Sequence, residues 1–156
     1  MALTDALKAE FDNLCTKYPQ RRAGLIPALH RCQEELGGWI SPEIITDCAE
    51  YFKLEPVEVY SVASFYPMFF LSPIGQHVVS VCRNISCDLR GACEITSAAT
   101  EHTGAACGES SKDGRFYLEE VECQGACTNA PMMVVDGKYY EDLEPADVAR
   151  ILGEIQ

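Results

Sequence analysis

Residues 77–87 read HVVSVCRNISC, and this stretch decides the fold because a valine-rich segment leads directly into two cysteines. Valines favour a pleated sheet, so His77–Cys82 is predicted to be a β-strand. Phe116–Val121 also predicts a strand, and the stretch VECQGAC at residues 121–127 places a second cysteine pair after it. The spacings are C-x4-C and C-x3-C. Two neighbouring strands would therefore deliver four thiols to one edge of a sheet: Cys82, Cys87, Cys123 and Cys127.

The rest of the C-terminal half predicts a small sheet covered by helices. Residues 89–102 have apolar side chains at helical spacing. Residues 132–140 form two short apolar segments around Asp136-Gly137, a dipeptide typical of the type I′ turn of a β-hairpin. Pro145 is a favourable first residue for a final helix. The order strand, helix, strand, hairpin, helix predicts an α/β domain.

The N-terminal part predicts four short helices. Apolar residues recur every three or four positions in three groups: Leu7, Phe11, Leu14 and Tyr18; Leu25, Leu29, Cys32 and Leu36; Ile44, Ile45, Cys48 and Phe52. Ser41-Pro42 is typical of a helix start, and a fourth helix begins at Pro56 and ends before Pro67. We therefore predict a helical bundle over residues 1–72 and the α/β domain over residues 73–156.

Charge and cysteine content narrow the function classes. The 156 residues include 12 Lys plus Arg and 24 Asp plus Glu, a net charge of −12 that argues against a nucleic-acid partner. Nine cysteines are an odd number, so a fully paired disulfide framework is excluded for a monomer. No segment reads as a secretory signal or a membrane span. We therefore expect a protein of the reducing cytoplasmic compartment, where clustered thiols more often bind metal.

The cysteine spacings favour a binuclear iron–sulfur cluster. Structural zinc with four cysteines mostly uses two intervening residues, and a tetranuclear cluster favours a C-x2-C-x2-C run, which is absent. A plant-type binuclear site would need a cysteine where Arg90 stands. His30, His77 and His102 are too scattered for Rieske ligation. Structural zinc stays open as an alternative. No G-x-G-x-x-G or P-loop motif for a nucleotide occurs in the chain.

The two cysteine pairs and their surroundings resemble one family: the small binuclear-cluster subunit of NADH:quinone oxidoreductase (respiratory complex I). The resemblance lies in residues 82–92, 121–127 and 129–131, and in the helical part in residues 22–43 and 59–66. It spans nearly the whole chain. It implies a helical bundle followed by a thioredoxin-like [2Fe–2S] ferredoxin domain. The implied ligands of one [2Fe–2S] cluster are Cys82, Cys87, Cys123 and Cys127.

The resemblance also implies partners and a role. The chain would be an electron-transfer subunit of an oxidoreductase, exchanging electrons with flavin during NADH oxidation. FMN and NAD would be bound by a partner subunit, with a larger iron–sulfur subunit nearby, and the assembly would hold the chain peripheral to the inner membrane. The homologous small subunit of an NAD-linked formate dehydrogenase or a bifurcating hydrogenase is an alternative, as are a zinc-bound structural adaptor and a free ferredoxin-like shuttle.

The remaining cysteines are predicted to have no role in ligation. Cys15, Cys32 and Cys48 lie on apolar helix faces, where packing in the core is expected. Cys93 is expected to pack against a neighbouring helix face, and Cys107, in a polar loop, to be exposed and prone to oxidation.

Charged residues flank the predicted site. Arg83 and Arg90 would favour reduction of an anionic cluster, whereas four acids would oppose it: Asp88, Glu119, Glu120 and Glu122. Pro131 is predicted to follow a cis peptide bond, because thioredoxin-like folds often keep a cis-proline just before a strand.

Overall fold

A computed structural model describes residues 3–155 and divides the chain into two compact units, one ending at Pro73 and the other beginning at Ile74. Both helices and a five-stranded sheet are present, so the predicted mixed α/β class is confirmed. No helix within residues 3–155 is long and apolar enough to cross a membrane.

The first unit consists of short helices. They are α1 (Asp5–Cys15), a 3-10 turn (Arg21–Gly24), α2 (Leu25–Glu35), α3 (Pro42–Phe52) and α4 (Pro56–Phe65). Side-chain oxygens of Thr4 and Ser41 accept the amides of Leu7 and Ile44, which satisfies exposed N–H groups at the starts of α1 and α3. The expectation that Tyr18 continues the stripe of α1 is wrong, because the helix ends three residues earlier and Tyr18 is exposed.

The core of the first unit is formed by the inward faces of all four α-helices. Its fully buried large side chains are Phe11, Leu29, Ile40, Ile44 and Val59. The three-and-four spacing of apolar residues therefore predicted most of the inward faces of α1, α2 and α3, with Tyr18 as the exception and with Leu14 and Leu36 only partly buried.

The second unit contains all five strands and three helices. They are β1 (His77–Cys82), α5 (Ile85–Leu89), α6 (Ala92–Thr103), β2 (Glu109–Ser110), β3 (Phe116–Val121), β4 (Met133–Val135), β5 (Lys138–Tyr140) and α7 (Pro145–Glu154). The strand order is β2-β3-β1-β4-β5, with β1 and β3 parallel and the other pairs antiparallel. Val79 and Val81 of β1 face a core that includes Ile95 of α6 and Leu152 of α7.

The helix predicted over residues 89–102 is divided in the structure. α5 ends at Leu89, Gly91 adopts a φ of +97°, and α6 begins at the next residue. A positive φ is costly for residues with a Cβ, so the glycine permits the break between the two helices.

Two predicted backbone features are confirmed, one at each end of β4. Asp136 and Gly137 both have positive φ values, 50° and 80°, as a type I′ turn requires. The Ala130–Pro131 peptide bond is cis, directly before β4.

Candidate metal centre

The first cysteine pair lies at the end of a central strand. Cys82 is the last residue of β1, and Cys87 lies in α5. The start of α5 is capped by Asn84, whose side-chain oxygen accepts a hydrogen bond from the Ile85 amide at 2.9 Å. Both thiols are almost fully buried, at 3% and 2% exposure. They share a small apolar cluster with four other residues: Ala92, Ala130, Met132 and Val134. Secondary structure on both sides therefore holds this pair in place.

The second pair lies in an exposed loop after β3. Cys127 opens a 3-10 turn (Cys127–Asn129), and both cysteines of the pair are exposed. The Gly125 amide donates to Cys123 Sγ at 3.4 Å, and the residue's φ of +78° makes glycine the favourable choice there. Tyr139 Oη donates to the carbonyl of Gln124 at 3.1 Å and ties the loop to β5.

Strand pairing brings the two pairs to the same edge of the sheet. β1 and β3 run parallel with Cys82 opposite Val121, so both strands end together. The amide of Arg83, the first residue after β1, donates a hydrogen bond to the carbonyl of Val121 at 3.0 Å and so extends the contact between the two strands. The sequence predicted that two neighbouring strands bring the four thiols to one edge of the sheet. In the structure β1 and β3 are parallel neighbours, and both cysteine pairs lie at or after their carboxyl ends.

The pKa of the Cys87 thiol is raised by burial and by two of the other three thiols. Burial raises the pKa of Cys87 to about 11, and a hydrogen bond with Cys82 and the charges of Cys82 and Cys127 act in the same direction. The backbone amide of Met132 opposes them by favouring the thiolate. Cys123 is exposed, like Cys127, and its Sγ accepts a hydrogen bond from the Gly125 amide.

The donor set is compatible with a binuclear cluster. Within residues 3–155, no three His, Cys, Asp or Glu side chains converge closely enough to hold one metal ion. A [2Fe–2S] cluster has a different requirement, because each of its two irons takes two thiolates. Two cysteine pairs at one sheet edge, with backbone N–H groups directed at two of the sulfurs, are compatible with that requirement.

The charges around this edge are only partly paired, because within residues 3–155 Asp88, Glu119 and Glu122 form no ion pair. Arg83 Nη1 lies 3.5 Å from Glu120 Oε2, and Arg90 Nη2 lies 3.9 Å from Asp142 Oδ1. Both arginines that the sequence placed near the site therefore have a carboxylate partner. Glu119 differs, since its Oε1 accepts a hydrogen bond from the Ser80 hydroxyl at 2.7 Å.

The other cysteines are placed as predicted with one exception. Cys15, Cys32 and Cys48 are buried, and Cys107 is exposed. Cys93 is exposed, so the expectation that it packs against a helix face is wrong. α6 begins at Ala92 and turns Ala92, Ile95 and Ala99 inward, which leaves Cys93 on the solvent side.

Sequence reasoning missed two residues that support the site. Tyr139 ties down the second cysteine loop, and Asp142 pairs with Arg90. Both come from the hairpin and the loop after it, and their contacts depend on how distant segments meet. In the sequence, the Asp136-Gly137 turn was the one indication that residues 132–140 form a hairpin that could join the sheet.

The family follows from this fold and these cysteines. The family model for the thioredoxin-like [2Fe–2S] ferredoxin matches residues 11–156, and the chain belongs to that family. It is 42% identical over 147 residues to the protein named NADH dehydrogenase [ubiquinone] flavoprotein 2, mitochondrial, of Dictyostelium discoideum. That match covers 93% of this chain and 60% of the relative, so the chain spans less than two thirds of that protein.

Further comparisons agree with the resemblance seen in the sequence. The chain is 35% identical over 147 residues to a subunit of the NADH-quinone oxidoreductase of Rickettsia bellii, covering 93% of this chain and 88% of that protein. A crystal structure of the NAD+-reducing [NiFe]-hydrogenase in the air-oxidized state superposes with a TM-score of 0.74 and 21% identity. It covers 84% of this chain and 22% of that chain, and at this identity the likeness concerns the fold.

Proposed function

We propose that this chain is an electron-transfer subunit of a respiratory NADH:quinone oxidoreductase, carrying one [2Fe–2S] cluster that exchanges electrons with flavin on a partner subunit. The observation that carries the proposal is the meeting of two cysteine pairs at the carboxyl edge of the parallel strands β1 and β3. The proposed ligands are Cys82, Cys87, Cys123 and Cys127.

The two pairs would contribute differently to holding the cluster. Cys82 and Cys87 present thiols from a strand end and a helix, both embedded in an apolar cluster that excludes water. Cys123 and Cys127 sit on a loop that Tyr139 anchors, and the Gly125 amide is in place to stabilise a thiolate. A [2Fe–2S] centre supplies one-electron transfer when bound, which none of the side chains supplies alone.

The names of the relatives support the link to NADH oxidation. Two of them are subunits of NADH dehydrogenases from a mitochondrion and from a bacterium. By analogy, FMN and NAD would be bound by the flavoprotein subunit beside this chain, with a larger iron–sulfur subunit in the same complex. The complex would place the chain peripheral to the inner membrane.

The cluster is tested on the full-length chain by elemental analysis and EPR. Iron and acid-labile sulfide in equal amounts, and the EPR signal of a reduced binuclear cluster after dithionite treatment, are expected. Stoichiometric zinc without iron would mean the zinc-bound structural adaptor instead, and would overturn the proposal.

The host complex is tested by co-purification. The native protein is expected to elute with an FMN-containing, NADH-oxidising subunit, and the isolated chain to bind that subunit in size-exclusion chromatography. Elution with a formate dehydrogenase or hydrogenase subunit would show that the chain belongs to that complex instead, and would leave the proposed cluster unaffected. Elution as a free, cluster-loaded chain would support a shuttle.

A further inference from the structure

Glu119 lies on the same face of the sheet as Cys82. Ser80 and Cys82 are two residues apart on β1, so both point away from the face formed by Val79 and Val81. In the parallel register Ser80 pairs with Glu119 and Cys82 pairs with Val121. The Glu119 carboxylate is therefore about one strand repeat, roughly 7 Å, from the level of the Cys82 thiol.

The charge of Glu119 is held in place and has no cation to balance it. Ser80 is buried at 7% exposure, and its hydroxyl donates to Glu119 Oε1 at 2.7 Å. Glu119 itself is partly buried. In the part of the chain that the structure describes, from residue 3 to residue 155, it forms no ion pair. A partly buried, unpaired carboxylate keeps a stronger electrostatic field than an exposed one, because water and salt screen it less.

The neighbouring residue, Glu120, is an internal contrast. It points to the opposite face, where the hydroxyl of Thr96 in α6 lies 3.4 Å from Glu120 Oε1. Its other oxygen is 3.5 Å from Arg83, and the residue is exposed. The two adjacent glutamates thus carry the same charge in different surroundings. Glu120 is exposed and paired with Arg83, whereas Glu119 is partly buried and, within residues 3–155, has no ion pair.

We propose that Glu119 lowers the reduction potential of the cluster carried by Cys82. The inference rests on the proposed function, since it assumes that a [2Fe–2S] cluster is bound there. Reduction adds one negative charge to a centre that four thiolates already make anionic. A fixed carboxylate nearby opposes that added charge, whereas Arg83 and Arg90 are each balanced by their own carboxylate partners.

The test is the midpoint potential of the full-length, cluster-loaded chain, measured by redox titration with the EPR signal as readout. Glu119→Gln removes the charge and keeps the side-chain shape. We expect reduction of this variant to become about tenfold easier, a shift of about 59 mV upward for a one-electron couple. Glu119→Asp keeps the charge and is expected to stay close to wild type.

Glu120→Gln is the matched control at the adjacent position. Glu120→Gln also frees Arg83, but both side chains are accessible to solvent. We therefore expect a smaller upward shift at low ionic strength and none at high ionic strength, because salt screens exposed charges. The Glu119→Gln shift is expected to persist at high ionic strength. If Glu119→Gln loads cluster poorly, Glu119→Thr, a neutral residue that favours strands, replaces it with the same expected shift.

The outcomes separate this inference from the proposed function. A Glu119→Gln shift no larger than that of Glu120→Gln, or one that vanishes at high ionic strength, overturns the inference and leaves the cluster in place. A wild-type chain without iron and without the EPR signal overturns the proposed function, and the inference with it.

Discussion

The helical unit and the sheet unit use cysteine in opposite ways. In the helical unit Cys32 and Cys48 are fully buried, with their sulfurs 3.8 Å apart between α2 and α3. The hydrogen bond with Cys32, together with burial, raises the pKa of Cys48 far above its usual range, so this thiol stays neutral. In the sheet unit, Cys82 and Cys87 are equally buried, but they lie where a strand ends and two loops meet.

The contrast shows that burial by itself does not distinguish a cysteine packed in a core from a proposed ligand. A cysteine on the apolar stripe of a helix is surrounded by other core side chains, and behaves as a small hydrophobic residue. A cysteine at the end of a strand has a loop on one side, so a second pair can approach it from a neighbouring strand. The surroundings of the thiol decide its role.

The largest expected effect is loss of the cluster on changing a sheet-unit cysteine. Cys87→Ala removes a proposed ligand that no other buried thiol can replace, so we expect iron content to fall by about tenfold or more. Cys93→Ala is the matched control, because this cysteine is exposed and six residues away along the chain. Iron analysis and visible absorbance measure both. Equal iron loss in the two variants would contradict the assignment.

The opposite result is expected in the helical unit. Cys48→Ala leaves a cavity among α2 and α3 and should lower the free energy of unfolding by about 1–2 kcal/mol. The cluster absorbance should be unchanged. Trp39, the single tryptophan, lies in the helical unit, so its fluorescence during urea unfolding reports that unit separately from the cluster signal. Loss of the cluster in Cys48→Ala would contradict the division into packed cysteines in the helical unit and proposed ligands in the sheet unit.

Alkylation compares the accessibility of cysteines from both units in one experiment. In the native, cluster-loaded chain, iodoacetamide should label Cys93 and Cys107 first, because both are exposed. Cys32 and Cys48 should react at least about tenfold more slowly, since they need local opening of the helical unit. Cys123 and Cys127 should become reactive only after a chelator removes iron. Mass spectrometry of tryptic peptides gives the order, and early labelling of Cys48 would show that the helical unit is open.

The smallest expected effect is a pH dependence confined to the helical unit. The hydroxyl of Tyr51 donates to Asp12 Oδ1 at 2.6 Å and Arg21 donates to it at 2.9 Å, and both lower the pKa of Asp12 below its usual 3.8. A lowered pKa in the folded state stabilises the fold above the usual value, and this stability is lost as the pH falls through the lowered pKa.

Asp12→Asn tests this pH dependence. The variant should be less stable than wild type at neutral pH, and the difference should shrink as the pH falls below about 4. Urea unfolding followed by Trp39 fluorescence measures it. Tyr51→Phe removes the stronger of the two hydrogen-bond donors and should reproduce part of the loss. A difference independent of pH would show that the carboxylate charge is not the cause.

Much of the fold was predictable because its signals are local. The helical stripes of α2 and α3, the valine-rich β1 and the Asp136-Gly137 turn each depend on residues close together in the chain. The elements that were missed are very short. α5 has five residues and β2 has two, too few for a hydrophobic period to be visible.

The candidate site was predictable in composition and only partly in geometry. The spacing of the two cysteine pairs after strands indicated which four thiols belong together. The side of α6 on which Cys93 lies depended on the exact residue at which the helix begins, and helix boundaries are poorly determined by local pattern.

By itself, the sequence determined the class of the domain, the four candidate ligands and the family they resemble, because periodicity and motif spacing are properties of the chain. Only the tertiary structure decided that Cys93 is exposed and which charges are balanced. The Arg90–Asp142 pair and the Ser80–Glu119 hydrogen bond join segments far apart in sequence. Such contacts depend on strand register and on the paths of loops, and these in turn decide whether a charge near the proposed cluster has a partner of opposite charge.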